Sequence, residues 1–269
     1  MKILAFDIGG TKIAYGLVDE YGQIIGEPTK IATPYSTDEI KKIFQKVISE
    51  NEADGIAFAT AGVVFNNKLV HQPFNLPQGY ENIDFTSFSQ KPVIVENDAN
   101  AAAWCEYKLG EARSCNHAIV LVLGTGVGCG IICNGQLLKG KSGAAGECAA
   151  ELGGNDLSNL AQQNNVTPNC FKIRELSLKG DLQAQKVYNI WQNRVLETMV
   201  QLNDLFDTQK IIVAGTLGKI IDYEYLQNCI NTAPFGEPPL ITKSAGFKFP
   251  ALSGVALMWC DAYKKQMEA

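Results

Sequence analysis

The two halves of the chain open with the same pattern of an apolar run, a glycine-rich turn and a second apolar run. Residues 3–12 carry this pattern in the first half and residues 119–126 begin it in the second. A Gly-Gln pair follows at a matching distance in each half, beginning at Gly22 and at Gly135. An internal duplication explains both openings, and a coincidence between two short glycine-punctuated hairpins is the alternative.

The spacing of apolar residues predicts strands that alternate with helices. Residues 3–25 read as three strands separated by turns, whereas residues 40–48 repeat at helical spacing behind a capping box from Ser36 to Glu39. Such an order is typical of an α/β fold. Further strands are predicted at residues 54–59, 92–95, 119–122, 131–132 and 211–213, and further helices at residues 99–109, 182–206 and 252–264.

The length of 269 residues favours two domains over one. We predict two α/β lobes around a cleft, residues 1–116 and residues 117–269. The closing helix near residues 252–264 could pack back on the first lobe.

Charge and hydropathy exclude several classes of protein. The 23 basic and 28 acidic side chains give a net charge of −5, which argues against a nucleic-acid partner. No apolar run approaches the roughly 20 residues that span a bilayer, so we expect a cytoplasmic protein with no membrane contact. The eight cysteines include no C-x-x-C pair, so they read as reduced thiols and predict no zinc site.

A candidate phosphate cradle lies at the turn after the first strand. Two successive glycines allow backbone amides to approach an anionic oxygen, and the next two residues add a hydroxyl and a positive charge. Asp7 precedes the turn and could hold Mg²⁺ through water. A plain hairpin turn with a solvated lysine is the alternative. The residues of the cradle are Gly9, Gly10, Thr11 and Lys12.

The second half offers two more loops of this kind. Gly124, Thr125 and Gly126 occupy the matching turn, so a duplication would supply two phosphate grips for one nucleotide. Gly215 and Thr216 follow a buried strand, where backbone could lie flat against a nucleoside. A helix N-cap at Thr216 is the alternative there. Neither glycine-rich run matches the P-loop or Rossmann pattern.

Two carboxylates are candidates for chemistry. Residues 96–100 (E-N-D-A-N) open an alanine-rich helix, and Asp98 could accept the proton of an attacking hydroxyl. An N-cap is the alternative for Asp98, and a solvated loop acid is the alternative for Glu147. His71 and His117 have no partner at a catalytic or metal-binding spacing, so we interpret them as surface or packing residues.

In this order and at this spacing, the motifs resemble those of the ROK family of sugar kinases and repressors. They are residues 7–12, 96–101, 123–128 and 145–147. The resemblance implies an actin-like, ribonuclease H-like ATPase fold with ATP between two lobes, a hexose beside it, and a homodimer.

The resemblance also implies roles for single residues. Asp98 corresponds to the catalytic base on the sugar 6-hydroxyl, and Asn97 and Glu147 correspond to sugar ligands. Gly62 and Asn75 correspond to two further sugar-contacting turns. Contacts to the nucleotide are implied at Asp7, Gly9, Gly10, Thr11, Lys12, Gly124, Thr125, Gly126, Gly215 and Thr216.

The chain also departs from the family pattern. The family's histidine position is Ala150, and the cysteine knuckle that binds zinc in the family is missing. Glu151 could replace the lost sugar contact. Only six residues precede Asp7, so we expect no DNA-binding domain of the kind that family repressors carry.

The sequence therefore predicts an ATP- and Mg²⁺-dependent kinase acting on the 6-hydroxyl of a hexose or N-acetylhexosamine. Its activity would be glucokinase-like or N-acetylmannosamine kinase-like. A catalytically silent sugar- or nucleotide-binding regulator is the alternative.

Overall fold

Two five-stranded sheets organise the chain in the computed structural model, which describes residues 1–148, 151–232 and 236–267, with the side chains of residues 264–267 left out. The strands are β1 (Lys2–Ile8), β2 (Lys12–Asp19), β3 (Ile24–Ala32), β4 (Gly55–Thr60), β5 (Val64–Phe65), β6 (Lys68–Leu69), β7 (Val93–Asn97), β8 (Ala118–Leu123), β9 (Val127–Cys133), β10 (Gln136–Leu137), β11 (Lys210–Ala214) and β12 (Leu240–Lys243). The α-helices are α1 (Thr37–Glu50), α2 (Asp98–Leu109), α3 (Gly154–Gln163), α4 (Cys170–Leu178), α5 (Leu182–Phe206), α6 (Tyr223–Ile230) and α7 (Pro250–Met267).

The two sheets share one topology. Their strand orders are β3-β2-β1-β4-β7 and β10-β9-β8-β11-β12. In the first sheet, β1 pairs antiparallel with β2 and parallel with β4, and β4 pairs parallel with β7. In the second sheet, β8 pairs antiparallel with β9 and parallel with β11, and β11 pairs parallel with β12. The shared order and strand directions support an internal duplication over a coincidence between two hairpins, and they confirm the α/β class.

The chain forms two compact units, each built from separate segments. The first comprises Met1–Arg113, Leu137–Gly146 and Phe247–Ala269, and the second comprises Ser114–Gln136 and Glu147–Gly246. The predicted division after residue 116 therefore differs from this partition at residues 114–116, 137–146 and 247–269. Helix α7 belongs to the first unit because its apolar face is buried in the core of that unit.

The first unit has an apolar layer on each face of its sheet. Phe6 and Phe58 stack at 4.8 Å between ring centroids, and Phe44 of α1 packs on them at 5.3 Å and 5.1 Å. On the other face, Trp259 of α7 is fully buried and donates its indole N–H to the carbonyl oxygen of Pro92 at 2.9 Å. Strands buried on both faces account for the nearly continuous apolar run of β1.

The predicted capping box of α1 is wrong. Ser36 is the N-cap residue with an extended backbone, but its side chain accepts no hydrogen bond from the helix. Asp38 and Glu39 lie in the first turn, where negative charge favours the positive end of the helix dipole.

The second unit packs α5 against the rest of its own core. Trp191 is buried and donates its indole N–H to the carbonyl oxygen of Leu152 at 2.9 Å, and Tyr188 donates to the carbonyl oxygen of Ile220 at 2.6 Å.

Within the described residues, no helix has the length and apolar character needed to cross a membrane.

Gly254 allows α7 to lie directly against α2, because a Cβ at this position would overlap the carbonyl oxygen of Ala101. We predict that Gly254→Ala lowers the free energy of unfolding by about 1–3 kcal/mol through overpacking. Urea unfolding of both proteins measures the difference. An unchanged midpoint would show that α7 can move away from α2 at no cost.

Candidate functional site

The parallel strands of the first sheet end in line, which brings several predicted residues to one edge. Ile8 of β1 pairs with Thr60 of β4, and Thr60 pairs with Asn97 of β7. The segments that leave these three strands contain the candidate phosphate cradle, Gly62 and Asp98. Ligands of α/β proteins bind at the carboxyl ends of such strands.

At the start of α2, the helix cap and the candidate base are two different residues. Asn97 is the N-cap residue, and its Oδ1 accepts from the backbone N–H of Asn100 at 3.0 Å. Its Nδ2 donates to the carbonyl oxygen of Gly62 at 3.0 Å. Asp98 is the first residue inside the helix, and its Oδ1 accepts from the N–H of Ala99 at 2.9 Å. The N-cap alternative for Asp98 is therefore wrong.

The candidate cradle is held in place from two sides. The amide of Gly9 donates to the carbonyl oxygen of Lys12 at 3.0 Å, and the hydroxyl of Thr33 donates to the carbonyl oxygen of Gly9 at 2.6 Å. Gly10 lies so close to Asn75 that a Cβ would overlap the asparagine side chain. Thr11 and Lys12 are exposed at the tip.

The segment that carries Asn75 is organised by Gln72. The Nε2 of Gln72 contacts the carbonyl oxygens of Pro73 and Leu76 at 2.9 Å each and that of Pro77 at 3.1 Å. Its Oε1 accepts from the amide of Gly79 at 3.1 Å. The structure thus brings Gly10, Gly62, Asn75 and Asn97 together, since Pro73 also packs against Gly62.

Two neighbouring acids, Asp7 and Asp98, lie at this edge of the sheet. Burial and, to a smaller extent, the charge of Asp98 raise the pKa of Asp7 to about 7, against the opposing effect of Lys12. Such a pair of carboxylates fits a hard divalent cation. In the described ranges no cluster of three or more His, Cys, Asp or Glu side chains could hold a metal ion. A cation here would depend on phosphate or water oxygens for its remaining ligands.

Glu96 is a residue that sequence reasoning left without a role. Its side chain is 1% exposed, and its Oε1 accepts from the backbone N–H of Asn97 at 2.9 Å and from Nδ2 of Asn100 at 3.1 Å. Its Oε2 pairs with Lys139 Nζ at 2.5 Å. The available signal was a glutamate that continues an apolar strand directly into an alanine-rich helix.

In the second unit, the turn from β8 to β9 is fixed by the start of α3. The amide of Gly154 donates to the carbonyl oxygen of Gly124 at 2.8 Å, and that of Asn155 donates to Thr125 at 3.1 Å. A Cβ at Gly153 would lie 2.6 Å from the carbonyl oxygen of Thr125. The close approach of α3 to this turn therefore requires glycine at position 153.

The third predicted loop lies beside this turn. Ala214 of β11 pairs with Val122 of β8, so the two strands end together. Gly215 has a φ of 84°, and a Cβ there would overlap the carbonyl group of Leu123. Gly215 is also the N-cap of the short 3₁₀ helix Thr216–Lys219, so the N-cap alternative for Thr216 is wrong by one residue.

A cavity of about 240 Å³ opens over these loops. Gly124, Thr125 and Thr216 line it on the side of the strand ends. Residues of α3 and of the start of α4, including its N-cap, complete the wall. They belong to no motif, which is why sequence reasoning missed them. They include Asn155, Ser158, Asn169 and the half-exposed Phe171.

Glu147 and Glu151 both lie in the second unit. Glu147 is exposed as a residue, yet partial desolvation of its carboxyl raises its pKa. Glu151 forms an ion pair with Arg194 of α5 at 3.0 Å, so a sugar contact would have to compete with this partner. Ala150, the position of the missing histidine, lies outside the described residues.

Comparisons with known proteins agree on one family. A family model described as the ROK family matches residues 3–152. An N-acetylmannosamine kinase of Yersinia pestis (strain Pestoides F) is 29% identical over 251 residues, which cover 82% of this chain and 85% of the relative.

Solved structures are similar over nearly the whole chain. A ROK family glucokinase from Streptomyces griseus, in complex with glucose and AMPPNP, has a TM-score of 0.78 and 25% identity, covering 96% of this chain and 99% of its own. A ROK family transcriptional regulator, a homologue of the E. coli MLC protein, has a TM-score of 0.75 and 19% identity, covering 96% of this chain and 77% of its own. These likenesses confirm the predicted actin-like ATPase fold class.

The raised pKa of Asp7 makes the stability of the unliganded protein depend on pH. Between the ordinary carboxyl pKa and about 7, the folded state keeps a proton that the unfolded state releases. This group therefore costs stability as the pH rises, by a few kcal/mol at most. We predict that Asp7→Asn raises the free energy of unfolding more at pH 8 than at pH 4.5.

Urea unfolding in the presence of a chelator measures this difference. Asp204→Asn, at an exposed position of α5, is the control and should follow the wild type. Parallel stability profiles of the wild type and Asp7→Asn would contradict the prediction.

Proposed function

Because the chain belongs to the ROK family, we propose that it is an ATP-dependent kinase that phosphorylates the 6-hydroxyl of a hexose or N-acetylhexosamine. Named sugar kinases among its relatives and structural neighbours support the class of reaction. N-acetylmannosamine is the first substrate to test, since it is the sugar named in the 29% identical relative.

The observation that carries this proposal is the placement of Asp98. Asn97 is the N-cap residue of α2, so Asp98 is not needed as the cap, although its Oδ1 accepts from the N–H of Ala99. Its charge acts on Asp7, at the end of the strand that leads into the glycine turn. In the proposed reaction, Asp98 takes the proton as the sugar 6-oxygen attacks the γ-phosphorus and ADP leaves.

Phosphate recognition is the proposed role of the two glycine turns. Gly9, Gly10 and Thr11 would donate to the terminal phosphates, and Lys12 would add positive charge. The turn at residues 124–126 is proposed to bind phosphate in the same way, with Gly215 and Thr216 contacting the nucleoside.

Mg²⁺ fits the acidic edge formed by Asp7 and Asp98, and Asp7 would hold it, directly or through water. When bound, the ion neutralises charge on the phosphate oxygens. It would also relieve the repulsion between the two carboxylates.

Sugar recognition is proposed for the residues that the family resemblance indicated. Asn97, Asn75 and Gly62 would contact sugar hydroxyls, as would Glu147. Asn97 already bonds to Gly62, which would hold these two sugar-contacting positions in a fixed relation. Glu151 remains a weaker candidate because of its partner Arg194. A homodimer stays a prediction.

A catalytically silent regulator is the second candidate. The missing histidine at position 150 and the likeness to a transcriptional regulator favour it. A silent protein has no chemical need for a base at Asp98, which favours the kinase. Release of ADP across a panel of hexoses and N-acetylhexosamines separates the two. Nucleotide binding without turnover of any sugar would overturn the kinase proposal.

Asp98→Asn tests the base. We predict a fall in kcat of about 10²–10⁴-fold, because the amide cannot accept the hydroxyl proton. Binding of sugar, measured calorimetrically, should change little. Asp204→Asn serves as the control. Wild-type turnover in Asp98→Asn would show that another group takes the proton.

Gly153→Ala tests the nucleotide site. Gly153 has a φ of −70° and ψ of 170°, which alanine adopts freely, so the added methyl acts through its contacts with Thr125 and Gly126 of the turn. We predict that it displaces the turn and weakens binding of a non-hydrolysable ATP analogue by about tenfold, or ~1.4 kcal/mol. Calorimetric titration measures the affinity, with Asn159→Ala on the exposed side of α3 as the control. Equal affinities would exclude this turn from the nucleotide site.

A further inference from the structure

We infer that Lys139 is a positioning residue for Asp98 and that it acts through the buried carboxylate of Glu96. The inference rests on the proposed kinase function and adds a residue that no motif of the chain contains. Lys139 follows β10 and belongs to the segment Leu137–Gly146 of the first unit.

Glu96 needs a cation because its carboxylate is removed from water. At 1% exposure, an ionised carboxylate is stable only when it is paired and its oxygens accept hydrogen bonds. Its Oε1 accepts from Asn97 and Asn100, and its Oε2 pairs with Lys139 at 2.5 Å. Within the described part of the chain, Lys139 provides the ion pair of this carboxylate.

Glu96 in turn holds the first turn of α2. It binds the backbone N–H of Asn97 and the side chain of Asn100, residues that flank Asp98 on either side. Asn97 links the same turn to Gly62 and caps the helix at Asn100. The backbone that carries Asp98 is therefore fixed by hydrogen bonds that depend on the charge and position of Glu96.

Lys139 is itself held in place. The amide of Ala145 donates to the carbonyl oxygen of Lys139 at 3.2 Å and closes the segment into a loop. Gly143, with a φ of 83°, lies so close to Val64 that a Cβ would overlap the carbonyl oxygen of Val64. The loop is thus fixed to the first unit at two separate points, by the ion pair and by the contact of Gly143.

Loss of the amine alone would leave a buried, unpaired carboxylate. Such a group moves toward water, and this movement disturbs its hydrogen bonds to Asn97 and Asn100. Small displacements of a reacting group cost much more in turnover than in substrate affinity. The expected signature is therefore a loss of kcat with little change in the KM for ATP.

Three variants and one control test this inference. We expect Lys139→Met to lower kcat about 10–100-fold and Lys139→Arg to recover most of it. The double variant Glu96→Gln, Lys139→Met should also recover turnover, because a buried amide needs no cation. Lys141→Met is the matched control, since Lys141 is exposed on the same loop. Steady-state kinetics and urea unfolding are measured for all of them.

The outcomes separate the possible roles. Wild-type kcat in Lys139→Met, with or without a loss of stability, would overturn the inference while the kinase function stands. A double variant as slow as Lys139→Met would show that Lys139 acts on substrate directly, which also overturns it. No turnover by the wild type with any sugar would mean that the proposed function fails, and this inference would fail with it.

Discussion

The parallel pairing of strands that end in line is the constraint on which the rest of the structure depends. In the first sheet, Ile8, Thr60 and Asn97 share one register, so the segments after β1, β4 and β7 emerge side by side. In the second sheet, the pairing of Val122 with Ala214 does the same for the loops after β8 and β11. A shift of one residue in either register would turn each of these side chains to the opposite face.

Close packing at these strand ends explains why glycine recurs there. Gly10 lies against Asn75, and Gly153 lies against Thr125. At both positions backbone or side chain from another segment occupies the space that a Cβ would need. The glycines therefore fix the distances between neighbouring loops, in addition to leaving amides accessible to an anion.

Electrostatics at the edge of the first sheet is a balance between buried acids and a few cations. Asp7 has a raised pKa because it is buried beside Asp98, whereas Glu96 is paired with Lys139. The ion pair gives Glu96 a structural role. In the proposed function, Asp7 and Asp98 are the acids that a cation and a phosphate would meet. The mild net acidity of the whole chain is compatible with the proposed function, in which anion recognition would depend on local amides and on Lys12.

Much of the fold and the motif part of the site could be predicted from the sequence, because both depend on local patterns. Periodicity located β1, α1 and α5, and glycine turns located the candidate phosphate grips at Gly10 and Thr125. Which residue caps a helix was decided by its geometry, so the capping box at Ser36 and the cap alternatives at Asp98 and Thr216 were wrong.

The sequence by itself determined the α/β class and the residue types available for chemistry, since each is a matter of composition and spacing along the chain. It suggested the duplication, which the shared topology of the two sheets then supported. Only the tertiary structure decided the ion pair between Glu96 and Lys139, the contact of Gly10 with Asn75, and the return of α7 to the first unit. These contacts join residues far apart in sequence. They are selected by burial and by the need of buried charges for partners, which no local pattern records.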